Sequence, residues 1–168
     1  MLGKVAEAEA DLAAAIRIAD ELKQPAHLWD VGGAKAMLAL AAGRLDEAEE
    51  LVERTYAIGE RAEPEMAMPV YRVQSYALCD FGASLEEIEP AIRDLVAARP
   101  ARPVFRCLLV HLHARLGRTE EAKRALDDLV ADGVAALPFD HEWLFGMACS
   151  RRPRRCSAMS RPRPCCTS

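Results

Sequence analysis

Histidine and cysteine are where chemistry would begin in this chain, and the closest pair of histidines is His111 with His113. Two residues apart on a helix, they point about 200° from each other, so one helix cannot offer both to one metal ion. Cys107, His111 and Arg115 step by four and share a face, but zinc would still need Cys79 to converge on them. Packing or groove lining is the expected use of these side chains. His141-Glu142 opens like a zinc-protease motif, yet Phe145 stands where the second histidine belongs. The carboxylates at Asp46, Glu47, Glu49, Glu50, Glu86, Glu87 and Glu89 fall where helices begin, and the macrodipole and hydration account for them without acid–base catalysis. Gly32-Gly33 lacks the third glycine and the preceding strand of a dinucleotide fold, so close helix contact or a weak point is expected there. Ser75 and Ser84 have no glycine elbow, and no Gly-x-x-x-x-Gly-Lys-Ser/Thr phosphate loop is present. The expectation is a protein that is not an enzyme, with no cofactor and no metal.

The elements that would position these residues are helices. Of 168 residues 31 are alanine and only 9 aromatic, a composition suited to close helix packing and poor for strands. A phrase of the form Gly, basic, x, x, Glu, Ala recurs at Gly3–Ala8, Gly43–Ala48 and Gly117–Ala122. The glycines lie 40 and 74 residues apart, and a looser copy, Gly82-Ala83-Ser84-Leu85-Glu86-Glu87-Ile88, falls between the last two. Each phrase has one physical sense. Glycine in the left-handed region closes a helix, the acids after it favour the first turn of the next, and the small alanine lets two helices cross closely. At the looser copy Ser84 and Glu87 fit a capping box.

Reading outward from these corners predicts helices over 4–23, 26–42, 45–62, 65–81, 85–98, 103–116 and 119–132, with an eighth from Asp140. Apolar residues step by three or four at Ala48, Leu51, Val52, Thr55 and Ile58, and again at Ile88, Ala91, Ile92, Leu95 and Ala98. Pro69 predicts a helix start near residue 68, because proline is best tolerated in a first turn. The domain is expected to span 1–148 as about three and a half to four repeats. Helix 4–23 follows its glycine directly and so reads as the second member of a pair. The Asp140 helix stops as soon as it starts, so the array is expected to be truncated at both ends.

Charge divides at the same place. Residues 1–148 hold 16 Lys+Arg against all 26 Asp+Glu, whereas 149–168 hold 6 Arg, 4 Cys, 4 Ser, 3 Pro and no acid. Such a segment neither buries apolar area nor keeps a helical period, and is expected to be a disordered basic tail. It reads as out-of-frame translation of a GC-rich gene; the rival is a genuine tail for nucleic acid or acidic lipid. Elsewhere nucleic-acid binding is not expected. Cys79 and Cys107 are isolated in the body and are expected to be reduced thiols. No secretory signal and no run of about 18 apolar residues is visible, so a cytoplasmic protein with no membrane contact is expected.

The corner between paired amphipathic helices resembles the tetratricopeptide repeat (TPR) family. Gly43 with Ala48 and Gly117 with Ala122 match its pattern well, and Gly82 with Ile88 matches poorly. The family's aromatic and leucine-glycine positions are mostly unmet, with Trp29 and Phe105 as substitutes. Within that superfamily, Gly43–Leu51, Glu89-Pro90-Ala91-Ile92, Arg106-Cys107 and Leu137-Pro138 before Trp143-Leu144 are similar to the C-terminal repeat regions of large bacterial signalling ATPases. Those proteins carry a nucleotide cyclase or a LuxR-type DNA-binding domain, but neither a phosphate loop nor a cyclase signature is found here. The resemblance implies an all-α fold, an α-solenoid of antiparallel helix pairs. It also implies a non-catalytic scaffold for a protein or peptide partner, or for adjoining domains of a signalling and transcription-regulating parent. The alternative is a sensing domain that binds a small effector. First helices line the concave side of such arrays, which nominates Asp30, Met37, Arg72, Tyr76, Asp80, His111 and Arg115 as groove residues.

Overall fold

A computed structural model describes residues 5–82 and 84–131. Among them are seven helices and no strand: α1 (Val5–Leu22), α2 (Pro25–Ala41), α3 (Leu45–Ala62), α4 (Pro64–Gly82), α5 (Leu85–Ala98), α6 (Pro103–Arg115) and α7 (Thr119–Ala131). The fold is all-α, and each boundary falls within a residue of the range read outward from the corners, although the later start expected from Pro69 does not occur. The expected eighth helix, the His141 segment and the tail from Cys149 lie outside the described residues.

Two corners close as the glycines require. Gly43 and Gly117 both take φ +73°. At the first, the Gly43 N–H donates to the Leu40 carbonyl and the Arg44 N–H to the Ala39 carbonyl; at the second, Gly117 donates to Ala114 and Arg118 to His113. This double closure satisfies carbonyls that the end of a helix would otherwise leave orphaned. The third copy behaves differently. Gly82 is the last residue of α4 and is not among the left-handed glycines; the Ser84 N–H instead bonds the Cys79 carbonyl. Ser84 is the N-cap of α5, but its side chain makes no cap hydrogen bond, so the expected capping box does not form.

Pro69 does not start a helix. α4 begins at Pro64 and runs through it, as α5 runs through Pro90. Each proline is the sixth residue of its helix, where its absent N–H would have served the carbonyl of the second. Only one intrahelical bond is lost at each, close to the helix start where the donors of the first turn are unpaired in any case.

The described residues fall into two compact units divided inside α4, one ending at Leu78 and the other starting at Cys79. In the first, α1 packs on α2 and α2 most extensively on α3. The α2/α3 seam is built from small residues. Ala36, Ala39 and Ala48 are fully buried, and a Cβ on Gly32 would meet the Thr55 hydroxyl at 2.6 Å. Trp29 lies over Gly59, where a Cβ would stand 2.5 Å from the indole nitrogen. The glycine pair thus serves close contact, and Gly33 also accepts a 3.3 Å hydrogen bond from Gln74. In the second unit α5 packs on α6 and α6 on α7, around the large side chains of Ile92, Leu108 and Leu112.

Candidate functional site

The seven nominated residues separate into two sets, one per unit. In the second unit, Asp80, His111 and Arg115 come together. The i, i+4 spacing on α6 puts His111 one turn before Arg115, and Arg115 Nε donates to Asp80 Oδ1 at 2.5 Å while its Nη2 reaches the Asp80 carbonyl at 3.3 Å. Both side chains are about one-quarter exposed. Burial pushes the His111 imidazole below its ordinary pKa; Asp80 opposes that shift and Arg115 adds to it. The result is a half-buried polar cluster in which the arginine already has a carboxylate partner.

In the first unit Asp30 and Met37 are exposed on α2. Arg72 is half-buried on α4, with its Nε 3.4 Å from the Met68 sulfur. Tyr76 is 3% exposed and belongs to the packed interior. A group that the sequence reading did not single out lies beside Arg72. The rings of Tyr56 and Tyr71 stack at 4.6 Å, tilted by 36°; Tyr71 donates to Glu53 at 2.8 Å and Tyr56 to Glu60 at 3.0 Å. Burial and the Glu60 hydrogen bond raise the Tyr56 hydroxyl above its usual pKa. The pair joins α3 to α4, and its signal in the sequence was weak because fifteen residues separate the two rings.

The cysteines depart from expectation. Cys107 and Cys79 are both fully buried, and Cys79 is disulfide-bonded. Spacing along a chain does not say which sulfurs meet in space, and that is why the reading of Cys79 as a reduced thiol failed. Among the described residues no group of three His, Cys, Asp or Glu is placed to hold a metal ion. None of the described helices is long and apolar enough to cross a membrane.

The second unit also holds a longer-range charge cluster. Glu89 of α5 accepts hydrogen bonds from Arg93 at 2.8 and 3.0 Å and from Arg118, at the α6/α7 corner, at 2.7 Å on each oxygen. Burial works to raise the Glu89 carboxyl, but the two arginines outweigh it and hold it below its ordinary value. No protein-family model, curated protein or solved structure matches this chain.

Proposed function

We propose that this chain is a TPR-like array of helix pairs acting as a non-catalytic scaffold for protein contacts, part of the regulatory region of a larger bacterial signalling protein. The observation that carries this reading is the recurrence of one corner. Seventy-four residues apart, Gly43 and Gly117 share a φ of +73° and the same two closing hydrogen bonds. Helices that pack on their sequence neighbours within each unit also suit such an array. Paired amphipathic helices of this kind present extended surfaces rather than enclosed reaction sites. Asp30, Met37 and Arg72 in the first unit, and His111 with the Asp80–Arg115 pair in the second, are the polar and thioether groups such a surface would offer.

The test is calorimetric titration of the full chain with an array of synthetic peptides, extended and helical, beside a panel of small metabolites. Saturable peptide binding that Arg72→Glu or Arg115→Glu weakens about tenfold or more supports the scaffold reading. Unchanged affinity in both variants dismisses these residues as the contact surface. A saturable response to a metabolite alone transfers the proposal to effector sensing.

A further inference from the structure

The sequence places α1 after Gly3 as it places α3 after Gly43, and a shift of 40 residues aligns Leu12 with Val52, Ala15 with Thr55, and Ile18 with Ile58. The two helices differ in cover. In α3, Val52 and Thr55 are 1% and 2% exposed and Ile58 is half-buried; in α1, Leu12 and Ala15 are only half-buried, and Ile18 and Leu22 are 56% and 51% exposed. Ile18 and Leu22 stand one turn apart and, with Ala15, form one wall of a cavity of about 290 Å3 whose other wall is His27, Asp30 and Val31 of α2. A ridge of two large apolar side chains beside an open cavity is what a helix laid in a groove would cover.

Charge selects the kind of helix. Toward the start of α1 the same stripe continues through Asp11, four residues before Ala15 and seven before Ile18, and Asp11 is exposed. Asp30 supplies a second carboxylate from the facing wall. Arg17, one residue from the ridge, is turned about 100° away from it, and Lys23 lies past the end of α1 with φ +53°. Over the first 78 residues 14 Asp+Glu face 8 Lys+Arg. A second copy of the chain is therefore disfavoured, since a two-fold contact would set these acids against themselves.

We propose that the α1/α2 groove docks an amphipathic helix from a partner protein, one whose apolar edge meets Ile18 and Leu22 and whose flank carries Lys or Arg opposite Asp11 and Asp30. This surface shares only Asp30 with the seven nominated groove residues, and Ile18 and Leu22 lie outside that set. Variants at those two positions therefore test the docking groove without touching Met37, Arg72 or Arg115.

The experiment titrates the full chain with a fluorescently labelled synthetic amphipathic Leu/Lys helix, with its Leu/Glu counterpart, and with a Ser/Lys peptide of equal charge. The expected result is saturable one-to-one binding of the Leu/Lys helix, about tenfold or more tighter than either control. Ile18→Ser with Leu22→Ser weakens that binding to the level of the Ser/Lys peptide; both side chains are more than half exposed, so the helices should persist by circular dichroism. Asp11→Lys with Asp30→Lys weakens it independently, whereas Glu86→Lys with Glu87→Lys in the second unit leaves it unchanged. Equal binding of Leu/Lys and Leu/Glu helices overturns the proposal, as does a Ser/Ser variant that binds like the parent, since attraction would then be bulk charge. Sedimentation showing self-association that the Ser/Ser variant abolishes would assign the face to a second copy and equally overturn it.

Discussion

Four residues before Gly43 stands Ala39, and four before Gly117 stands His113; the carbonyl of each closes its corner, and each is almost wholly buried. The basic residues that follow also differ in use. Arg44 reaches only to Glu47, three residues on, at 2.6 Å, with both side chains about half exposed. Arg118 crosses to Glu89 of another helix, and that carboxylate is 12% exposed. The alanines diverge as well, since Ala48 is fully buried and Ala122 only half so. One backbone turn therefore serves two kinds of interior. In the first unit small residues let α2 and α3 approach closely. In the second, large apolar side chains fill the space and a charge cluster ties the corner to α5. The repeated phrase specifies the turn and leaves the packing to residues outside it.

The sharpest break of this comparison is truncation against enlargement. Leu108 is fully buried, and Leu108→Ala should destabilise the protein by about 2–5 kcal/mol through lost burial and the cavity left behind. Urea unfolding followed by circular dichroism measures it, and a loss below about 1 kcal/mol would mean that the second unit's interior collapses readily around the gap. In the first unit enlargement should do the damage. Replacing a helical glycine by alanine ordinarily stabilises, but at Gly59 the new Cβ meets the Trp29 ring at 2.5 Å and the Ala67 Cβ at 3.1 Å. Gly59→Ala should therefore cost about 1–3 kcal/mol, most of it recovered when Trp29→Leu removes the indole. A stabilised Gly59→Ala protein would show that the α2/α3 seam yields.

The corners themselves should respond alike. A Cβ on Gly43 or Gly117 meets nothing within 4 Å, so Gly43→Ala and Gly117→Ala each carry only the left-handed backbone penalty, about 1–2 kcal/mol. Unequal costs, read from paired denaturation curves, would separate two turns that the geometry makes equivalent. Smaller again is the ion-pair contrast. Arg118→Gln should cost about 1 kcal/mol at neutral pH and Arg44→Gln well under about 0.5 kcal/mol, because an exposed i, i+3 pair is weak. Glu89 sits below its ordinary value, so its stabilising contribution is present above the ordinary carboxylate range and lost as the pH falls through the folded-state value. The Arg118→Gln difference should shrink in acid, and a difference that persists there would assign the loss to packing of the guanidinium stem.

Much of the helical order was legible because it rests on local rules. Glycine punctuation, three-and-four spacing and prolines near helix starts act within a few residues of the chain, and they place α3 and α5 to the residue. Features that depend on distant neighbours were less legible. Pro69 looked like a start because proline suits a first turn, yet it is buried inside α4, and that packing is a tertiary fact. Ser84 fits a capping box by type, yet the turn before it closes through the Cys79 carbonyl. Tyr76 has a groove residue's type and spacing but is packed inside. Asp80, His111 and Arg115 meet, the last two because four residues make one turn and Asp80 through a contact 35 residues long that no local spacing announced. The oxidation of Cys79 had no signal at all in local spacing.

The finest distinction between the corners is titratable, since Ala39 has no proton to exchange and His113 does. His113 is 3% exposed and its Nδ1 has no hydrogen-bond partner. Burial pushes its imidazole below the ordinary value, with Arg93 and Arg118 adding to that shift and Glu89 and Glu121 opposing it. A depressed folded-state pKa means that the unfolded chain takes up the proton first. The neutral ring's contribution to stability is therefore complete above about pH 6.5 and is lost as the pH falls from there through the folded-state value. His113→Gln removes the titration while keeping a polar side chain of similar reach. Its stability should change less between about pH 7 and 5 than the parent's, with the difference concentrated in hydrogen exchange of α6 and α7 amides rather than those of α2 and α3. A parent and variant with parallel pH curves would place the acid sensitivity elsewhere, at Glu89 or the Asp80–His111–Arg115 cluster, and would leave the two corners differing in packing alone.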